Sequence, residues 1–320
     1  MTRVYRSLEA VPDARRAVAV GTFDGVHVGH RAVIAAACDA ARREGWRSSV
    51  LTFDRHPLAQ IAPQRQPRLL TPLDEKIALL TDIGPDEIVL LPFTAELAEM
   101  LADDFCRDIL AAALGAGAVV VGQNFTFGAA AAAGPVELAA AGRELGFRAV
   151  VVPLAVADAE PISSTRIRRL LAGGRLEEVR IILGRPPGTH GKVVGGWQRG
   201  RTLGVPTANL DVEVGTIFPG RGVYAGRALV DGTWYRTAVN VGHNPTFHSA
   251  DEETTTVRIE AHLLGFSGDL YGKRIRVDFL HKIRDEERFE RVDELVDRMR
   301  RDIEVTRHLD DEALAQVGLA

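Results

Sequence analysis

Four places in the sequence gather residues able to do chemistry. The first is Gly21-Thr22-Phe23-Asp24-Gly25-Val26-His27-Val28-Gly29-His30, where a short apolar run gives way to a helical pattern. Glycines in such a turn let the backbone approach an anion, and the helix beyond offers unpaired N–H groups and the positive end of its dipole. His27 and His30 add two imidazoles at helical spacing. A metal pair would need further ligands and none stands nearby in sequence, so a nucleotide phosphate explains the glycines and histidines together. The second place is Ile162-Ser163-Ser164-Thr165-Arg166-Ile167-Arg168. Its serines are good helix N-caps, and Arg168 falls about one turn into the helix they start. Hydroxyls, backbone N–H groups and a guanidinium fork suit a triphosphate, which marks Ser164, Thr165 and Arg168 and leaves Arg169 on a solvated face. The third is Pro206-Thr207-Ala208-Asn209. In an extended segment Thr207 and Asn209 point to one side as a pair of hard oxygen ligands suited to Mg²⁺, although both are also ordinary turn residues. The fourth is Glu260, a carboxylate among apolar neighbours in a β-type run, where an outward strand position or a structural ion pair would also account for it.

The elements that must position these residues change character along the chain. In the first half, near-continuous apolar runs at 17–21, 48–53, 87–93, 118–122 and 147–153 read as strands buried on both faces. Helical patterns at 31–44, 72–81, 95–114, 136–145 and 164–172 alternate with them, which predicts a parallel sheet covered on both sides, with ligands at the carboxyl ends of its strands. At Leu183-Gly184-Arg185-Pro186-Pro187-Gly188 the helical pattern cannot continue. Beyond it, β-type runs at 191–195, 223–230, 234–241, 254–264 and 274–280, separated by Gly-rich turns, favour a small antiparallel barrel. A closing helix carries Phe289, Val292, Val296, Met299 and Ile303 at three- and four-residue spacing, a stripe expected to dock on the barrel. The expected domains are therefore 1–185 and 186–320, as a length of 320 residues also suggests.

Composition narrows the class of function. With 39 basic and 43 acidic residues the net charge is −4, so no global field advertises nucleic acid or an anionic membrane, and any phosphate site is local. Two cysteines, Cys38 and Cys106, exclude a disulfide framework and suit a reducing cytoplasm. No apolar run reaches the roughly 18 residues that spanning a bilayer takes, and the N-terminus lacks a signal-type apolar core. Gly220-x-Gly222-x-x-Ala225 fits a dinucleotide fingerprint loosely but leads into a strand, and Gly191-Lys192 lacks the rest of a Walker A loop.

The decapeptide at 21–30 resembles the HxGH signature of the nucleotidylyltransferase superfamily and, in its fuller form, the FAD synthetase module of bacterial bifunctional riboflavin kinase/FMN adenylyltransferases. Val121-Gly122-Gln123-Asn124-Phe125-Thr126-Phe127-Gly128 and the segment at 162–168 resemble two later motifs of that module; an arginine common after the Phe-Gly is replaced by Ala129 to Ala133. In the second half, Gly191-Lys192-Val193-Val194-Gly195, then Gly200 to Asn209 with its PTAN, Gly222 to Gly226, Asn240 to Phe247 and Glu260 to Leu264 resemble the riboflavin kinase module in order. The resemblance implies a Rossmann-like α/β nucleotidylyltransferase domain followed by a small antiparallel β-barrel with a closing helix. It implies ATP as co-substrate, Mg²⁺ as cofactor, and riboflavin, FMN, FAD, ADP and pyrophosphate as the other ligands, with no nucleic acid and no membrane.

Residue roles follow from the same resemblance. Glu260 is the expected catalytic base of the kinase, with Thr207 and Asn209 on Mg²⁺ and Gly191 and Lys192 at ATP. His27, His30 and Arg168 are the expected catalytic residues of adenylyl transfer, with Gly21, Phe23, Gly29, Asn124, Ser164 and Thr165 at ATP. Phe53-Asp54-Arg55-His56-Pro57 resembles a segment near that site, which makes His56 a candidate flavin contact beside the reading of an ordinary loop histidine. The chemistry agrees with this division: a neutral riboflavin alcohol needs a base, whereas the FMN phosphate is already ionised and needs positive potential instead. Two other readings stay open on sequence, namely an active adenylyltransferase with a flavin-binding barrel and a flavin-binding protein without turnover.

Overall fold

The computed structural model describes residues 1–195, 205–245 and 255–309. Contacts divide the chain into two compact units, Met1–Ser164 and Thr165–Ala320. The expected motif residues Gly200 to Gly204, Thr246 and Phe247 lie outside the described residues.

The first unit is built on a parallel sheet of β1 (Arg3–Tyr5), β2 (Arg16–Val20), β3 (Arg47–Phe53), β4 (Glu87–Leu91), β5 (Ala116–Gly122) and β6 (Arg148–Val152), in the order β1-β4-β3-β2-β5-β6. Every residue of β2 and β4 is buried, as apolar runs covered on both faces must be. The helices are α1 (Val28–Glu44), α2 (Pro57–Ile61), α3 (Leu73–Thr81), α4 (Ala95–Glu99), α5 (Ala102–Asp104) and α6 (Pro135–Leu145). Helix α1 buries Val33, Ile34, Ala37, Ala40 and Ala41, one stripe at helical spacing, and stops at Gly45, whose left-handed φ of 68° returns its N–H to the Ala41 carbonyl. Strand β2 lies between β3 and β5, so the strand order reverses between β2 and β5. The carboxyl ends of those two strands mark the switch point, the usual ligand position of such sheets.

Two expectations for this unit need correction. The short strand β1 carries no apolar run and is held as an edge by pairing with β4. The helix expected over 95–114 is broken: after α4 the chain is extended at Met100 and Leu101, and α5 then leads into a π-helical segment, Phe105–Ala113. The cause is tertiary. The loop after β5 packs here, with the Ala129 N–H donating to the Met100 carbonyl at 2.8 Å and Gly128 lying so close to Ala102 that a Cβ would overlap its backbone. A short hairpin, β7 (Val156–Ala157) with β8 (Glu160–Pro161), precedes the helix α7 (Ser164–Ala172), and α8 (Leu176–Leu183) ends at the expected Gly/Pro break.

The second unit closes β9 (Gly188–Val194), β10 (Ala208–Val212), β11 (Gly222–Val230), β12 (Thr233–Pro245), β13 (Thr255–Leu263) and β14 (Arg274–Arg284) into an antiparallel barrel, in the order β10-β13-β12-β11-β14-β9. Strand β10, not foreseen from the sequence, forms because β9 and β13 flank it. Tyr224 and Phe279 fill the interior edge to face. The closing helix is α9 (Val292–Arg307). Its stripe differs from expectation: Val292 is 63% exposed and Phe289 precedes the helix, whereas Asp302 and Thr306 are buried. Asp302 accepts two hydrogen bonds from the Arg284 guanidinium of β14, at 3.1 and 2.8 Å. That bidentate pair clamps the helix to the barrel.

Candidate active sites

At the carboxyl end of β2, the turn 21–27 leads into α1. His27 is its N-cap: Nδ1 accepts a hydrogen bond from the His30 N–H at 3.2 Å. An accepting Nδ1 leaves the ring proton on Nε2, which makes the capping imidazole a neutral donor. The His27 and His30 rings stack at 3.5 Å, and Phe23 meets His30 edge-on at 5.4 Å. Gly29 gives this ring room, because a Cβ there would lie 3.2 Å from Cε1 of His27 and push it aside; at Gly21 a Cβ would run into the Phe23 ring. No acidic side chain occupies the first turn of α1, so its positive end stays available to an anion.

The turn is strained. Phe23 and Val26 adopt φ of 50° and 39°, the left-handed region, which is unusual for a bulky residue such as Phe and for a β-branched one such as Val, and both are buried. Backbone of this kind persists only where surroundings over-determine it. Here the buried Asp24 carboxylate accepts from the N–H groups of Leu70 and Thr71, the Thr71 hydroxyl accepts from the Gly25 N–H, and the Ser164 hydroxyl donates to the Asp24 carbonyl at 2.8 Å. Ser164 is thus brought to the decapeptide as the first residue of α7. Lys76 of α3, only 8% exposed, donates to the carbonyls of Phe53 at 2.7 Å and Thr22 at 3.4 Å. Burial pushes its pKa down to about 8 against the pull of Asp24 and Asp54.

The other expected residues of this site are placed as follows. Asn124 is exposed in the turn after β5, with its side-chain oxygen folded over Gly122, whose position borders Val33 of α1. The adjoining strand ends of the sheet's reversal therefore carry both the decapeptide and Asn124. His56 caps α2, its Nδ1 accepting from the Leu58 N–H at 3.1 Å. Burial raises the pKa of neighbouring Asp54, but hydrogen bonds from Arg55 and the Phe93 N–H outweigh it and hold the carboxyl below its ordinary value. Thr165 and Arg168 belong to the second unit on α7, exposed and half-buried, with Arg166 buried between them and Arg169 exposed as expected.

In the second unit the barrel register does what sequence could not. Glu260 of β13 stands opposite Asn209 of β10 on one side and Asn240 of β12 on the other, forming one row across three strands. Arg258, Glu260 and His262 alternate with buried Ile259, Ala261 and Leu263, so the polar trio shares a face. Arg258 pairs with the Glu260 carboxylate and donates from Nε to Oδ1 of Asn209 at 3.3 Å. His262 donates from Nδ1 to the Pro206 carbonyl at 2.7 Å and so pins the start of the PTAN segment. These groups and Thr207 line a cavity of about 890 Å³ that Leu295, Met299 and Ile303 of α9 also border. The cavity is lined by polar and apolar groups together, as suits a large ring ligand with a polar tail. Asn209 presents its amide oxygen to a cation already, and with the Thr207 hydroxyl it forms a hard-oxygen pair that fits Mg²⁺.

Sequence reasoning gave no individual role to Arg258, His262 or Asn240, although the last two lie in segments that carry the resemblance. The first two carried a signal, since residues two apart on a strand share a face with Glu260; Asn240 needed the register. From β9 the cavity takes Val193, not Gly191 or Lys192. Gly191 is needed for packing, because a Cβ would overlap Leu210 and the Asp211 carbonyl, and Lys192 is exposed.

Comparison with known proteins finds matches for both halves of the chain. The FAD synthetase family model matches residues 10–166 and the riboflavin kinase model residues 183–309. A bifunctional riboflavin kinase/FMN adenylyltransferase of Listeria monocytogenes is 35% identical over 92% of this chain and 92% of its own length. Its counterpart in Escherichia coli K12 is 34% identical, over 94% of this chain and 95% of its own. Among solved structures, a Streptococcus pneumoniae chain described as a macrolide-efflux protein superposes with a TM-score of 0.85 at 32% identity, covering 97% of this chain and 99% of its own. No helix among the described residues here is long and apolar enough to cross a membrane.

Proposed function

The chain belongs to the family of bifunctional riboflavin kinase/FMN adenylyltransferases, and from that premise we propose how its own residues divide the two reactions. It phosphorylates riboflavin with ATP to give FMN, and it transfers the adenylyl group of a further ATP to FMN to give FAD and pyrophosphate. Adenylyl transfer is assigned to 1–185 and phosphorylation to 186–320, with the break between α8 and β9. Cytoplasmic placement fits two unpaired cysteines, Cys38 and Cys106.

In the kinase, the riboflavin hydroxyl must lose a proton as its oxygen bonds to the γ-phosphorus of ATP and the bond to ADP breaks. Glu260 is the acceptor of that proton. Arg258 holds the carboxylate in the row with Asn209 before substrate arrives, and His262 fixes the backbone ahead of Thr207. Thr207 and Asn209 would hold Mg²⁺, which supplies neutralisation of the phosphates when bound. The apolar residues of α9 take the flavin ring. Gly191 and Lys192, proposed as ATP contacts, lie on β9 outside the residues that line the cavity.

In adenylyl transfer, an FMN phosphate oxygen bonds to the α-phosphorus of ATP and the bond to pyrophosphate breaks. No proton needs removal, so the site has to offset repulsion between anions. The Nε2–H of His27, His30 and the first turn of α1 donate to the phosphates, and Gly21, Phe23 and Gly29 let them approach. Asn124 from β5, with Ser164, Thr165 and Arg168 from their segment, completes the ATP contacts, and His56 is the flavin contact. The single observation that carries this reading is the capping geometry of His27, which fixes its outward nitrogen as a donor.

The test is to supply the purified protein with riboflavin, ATP and Mg²⁺ and to separate riboflavin, FMN and FAD by chromatography. Glu260→Gln is expected to abolish FMN formation and to spare conversion of supplied FMN to FAD; His30→Ala is expected to do the reverse. Loss of both activities in either folded variant would refute the division of labour.

A further inference from the structure

We infer that Lys76 is a positioning residue of the adenylyl-transfer site, its buried ammonium bracing the strained turn that presents His27 and His30. The inference rests on the assignment of that turn to adenylyl transfer. Its Nζ donates to two carbonyl oxygens, and both lie at the carboxyl ends of strands: Phe53 ends β3, and Thr22 follows β2 in the turn itself. One side chain thus ties the outlets of two adjacent strands. Thr22 immediately precedes Phe23, whose φ of 50° starts the strained path that ends at the His27 cap. The nearby carboxylates serve other donors: Asp24 takes the N–H groups of Leu70 and Thr71, and Asp54 takes Arg55 and the Phe93 N–H.

A lysine so placed is costly, because burial disfavours its charge. An apolar side chain of the same length would fill the space, yet it would leave the half-buried Phe53 carbonyl short of a donor, leave Thr22 to the Thr52 hydroxyl alone, and remove a positive charge from beneath the proposed anion site. The charged groups acting on Lys76 are Asp24 and Asp54 from the strand outlets, and Asp74 and Glu75 are its neighbours on α3. With its pKa at about 8, the ammonium is charged at neutral pH and loses its proton in mild alkali.

The experiment uses the full chain, wild type and Lys76→Met or Lys76→Gln, with FMN and ATP supplied for adenylyl transfer and riboflavin and ATP for phosphorylation. A misplaced catalytic turn costs rate more than binding, so Lys76→Met is expected to lower kcat for adenylyl transfer by about 10- to 100-fold with KM for ATP changed far less and phosphorylation intact. Lys76→Gln, which keeps an N–H donor, recovers part of that rate. In the wild type, kcat for adenylyl transfer falls as pH rises through about 8 while phosphorylation does not follow. An adenylyl-transfer kcat for Lys76→Met within about twofold of wild type, or a loss confined to KM, would overturn the inference. Should the variants fail to fold, the wild-type profile decides: an alkaline fall supports the inference, and a flat profile through that range overturns it. A wild type unable to adenylylate FMN would instead overturn the functional assignment itself.

Discussion

His27 meets two demands with one ring. Its Nδ1 closes the first turn of α1 and its Nε2 is thereby left as a donor, so under the proposed assignment one ring serves both helix capping and phosphate recognition. The neighbouring glycine belongs to that arrangement as much as to backbone freedom. Gly29→Ala would place a Cβ 3.2 Å from Cε1 of the His27 ring, which must then tilt. We expect it to lower adenylyl transfer by about tenfold, read with supplied FMN, while riboflavin phosphorylation is unchanged. At the kinase site the equivalent economy is Arg258, whose single guanidinium reaches both Glu260 and Asn209. The residue types of both sites were legible in the sequence because their chemistry is local: glycines, imidazoles, a hydroxyl, an amide and a carboxylate declare themselves by type and spacing. Lys76 was not, since a lysine in an amphipathic helix looks like any solvated one until burial shows it beneath the turn.

Among the elements, alternation of apolar runs and helical patterns was enough to place the central strands, α1, α3 and α6, because each has a periodicity of its own. The failures share a cause. Strands β1 and β10 are short and acquire strand geometry from their neighbours, and the broken helix at 95–114 yields to the loop after β5. That loop departs from family habit with its alanine run, and the run is strained: Ala130 and Ala131 both take φ of 55°. Glycine adopts this conformation freely, so Ala130→Gly is expected to stabilise the protein by about 1 kcal/mol, seen as a raised denaturation midpoint. The stripe on α9 was also legible, but its buried members are set by the Arg284–Asp302 clamp as well as by apolar spacing.

For the whole molecule, a near-neutral charge leaves electrostatics to local groups, such as the acid-free first turn of α1 and the Arg258–Glu260 pair in the barrel. A further such group lies at the opposite end of the parallel sheet from its ligand sites. Glu87 begins β4 fully buried and accepts from Arg16, Arg47 and Ser49. Burial raises its pKa, yet these hydrogen bonds prevail and hold it below the ordinary 4.5. A depressed folded-state pKa contributes stability that is complete above the unfolded value and is lost as pH falls through the folded one. Glu87→Gln should therefore destabilise the protein near neutrality, by roughly 3 kcal/mol for a broken buried pair, and flatten the loss of stability below pH 4.5 in acid denaturation followed by circular dichroism.

The sequence by itself determined the two architectures and the motifs by which the family is recognised, because periodicity, turn chemistry and residue type act over a few neighbours; the contact division at Ser164/Thr165 was not among what it determined. Only the tertiary structure decided which side chains meet. The reversal of strand order pairs β2, which leads to the turn that holds His27, with β5, which leads to Asn124, and barrel register lines up Asn209, Glu260 and Asn240 from strands far apart in the chain. A one-residue slip in that register would turn Glu260 to the opposite face of the sheet, and no local pattern reports the pairing that prevents it.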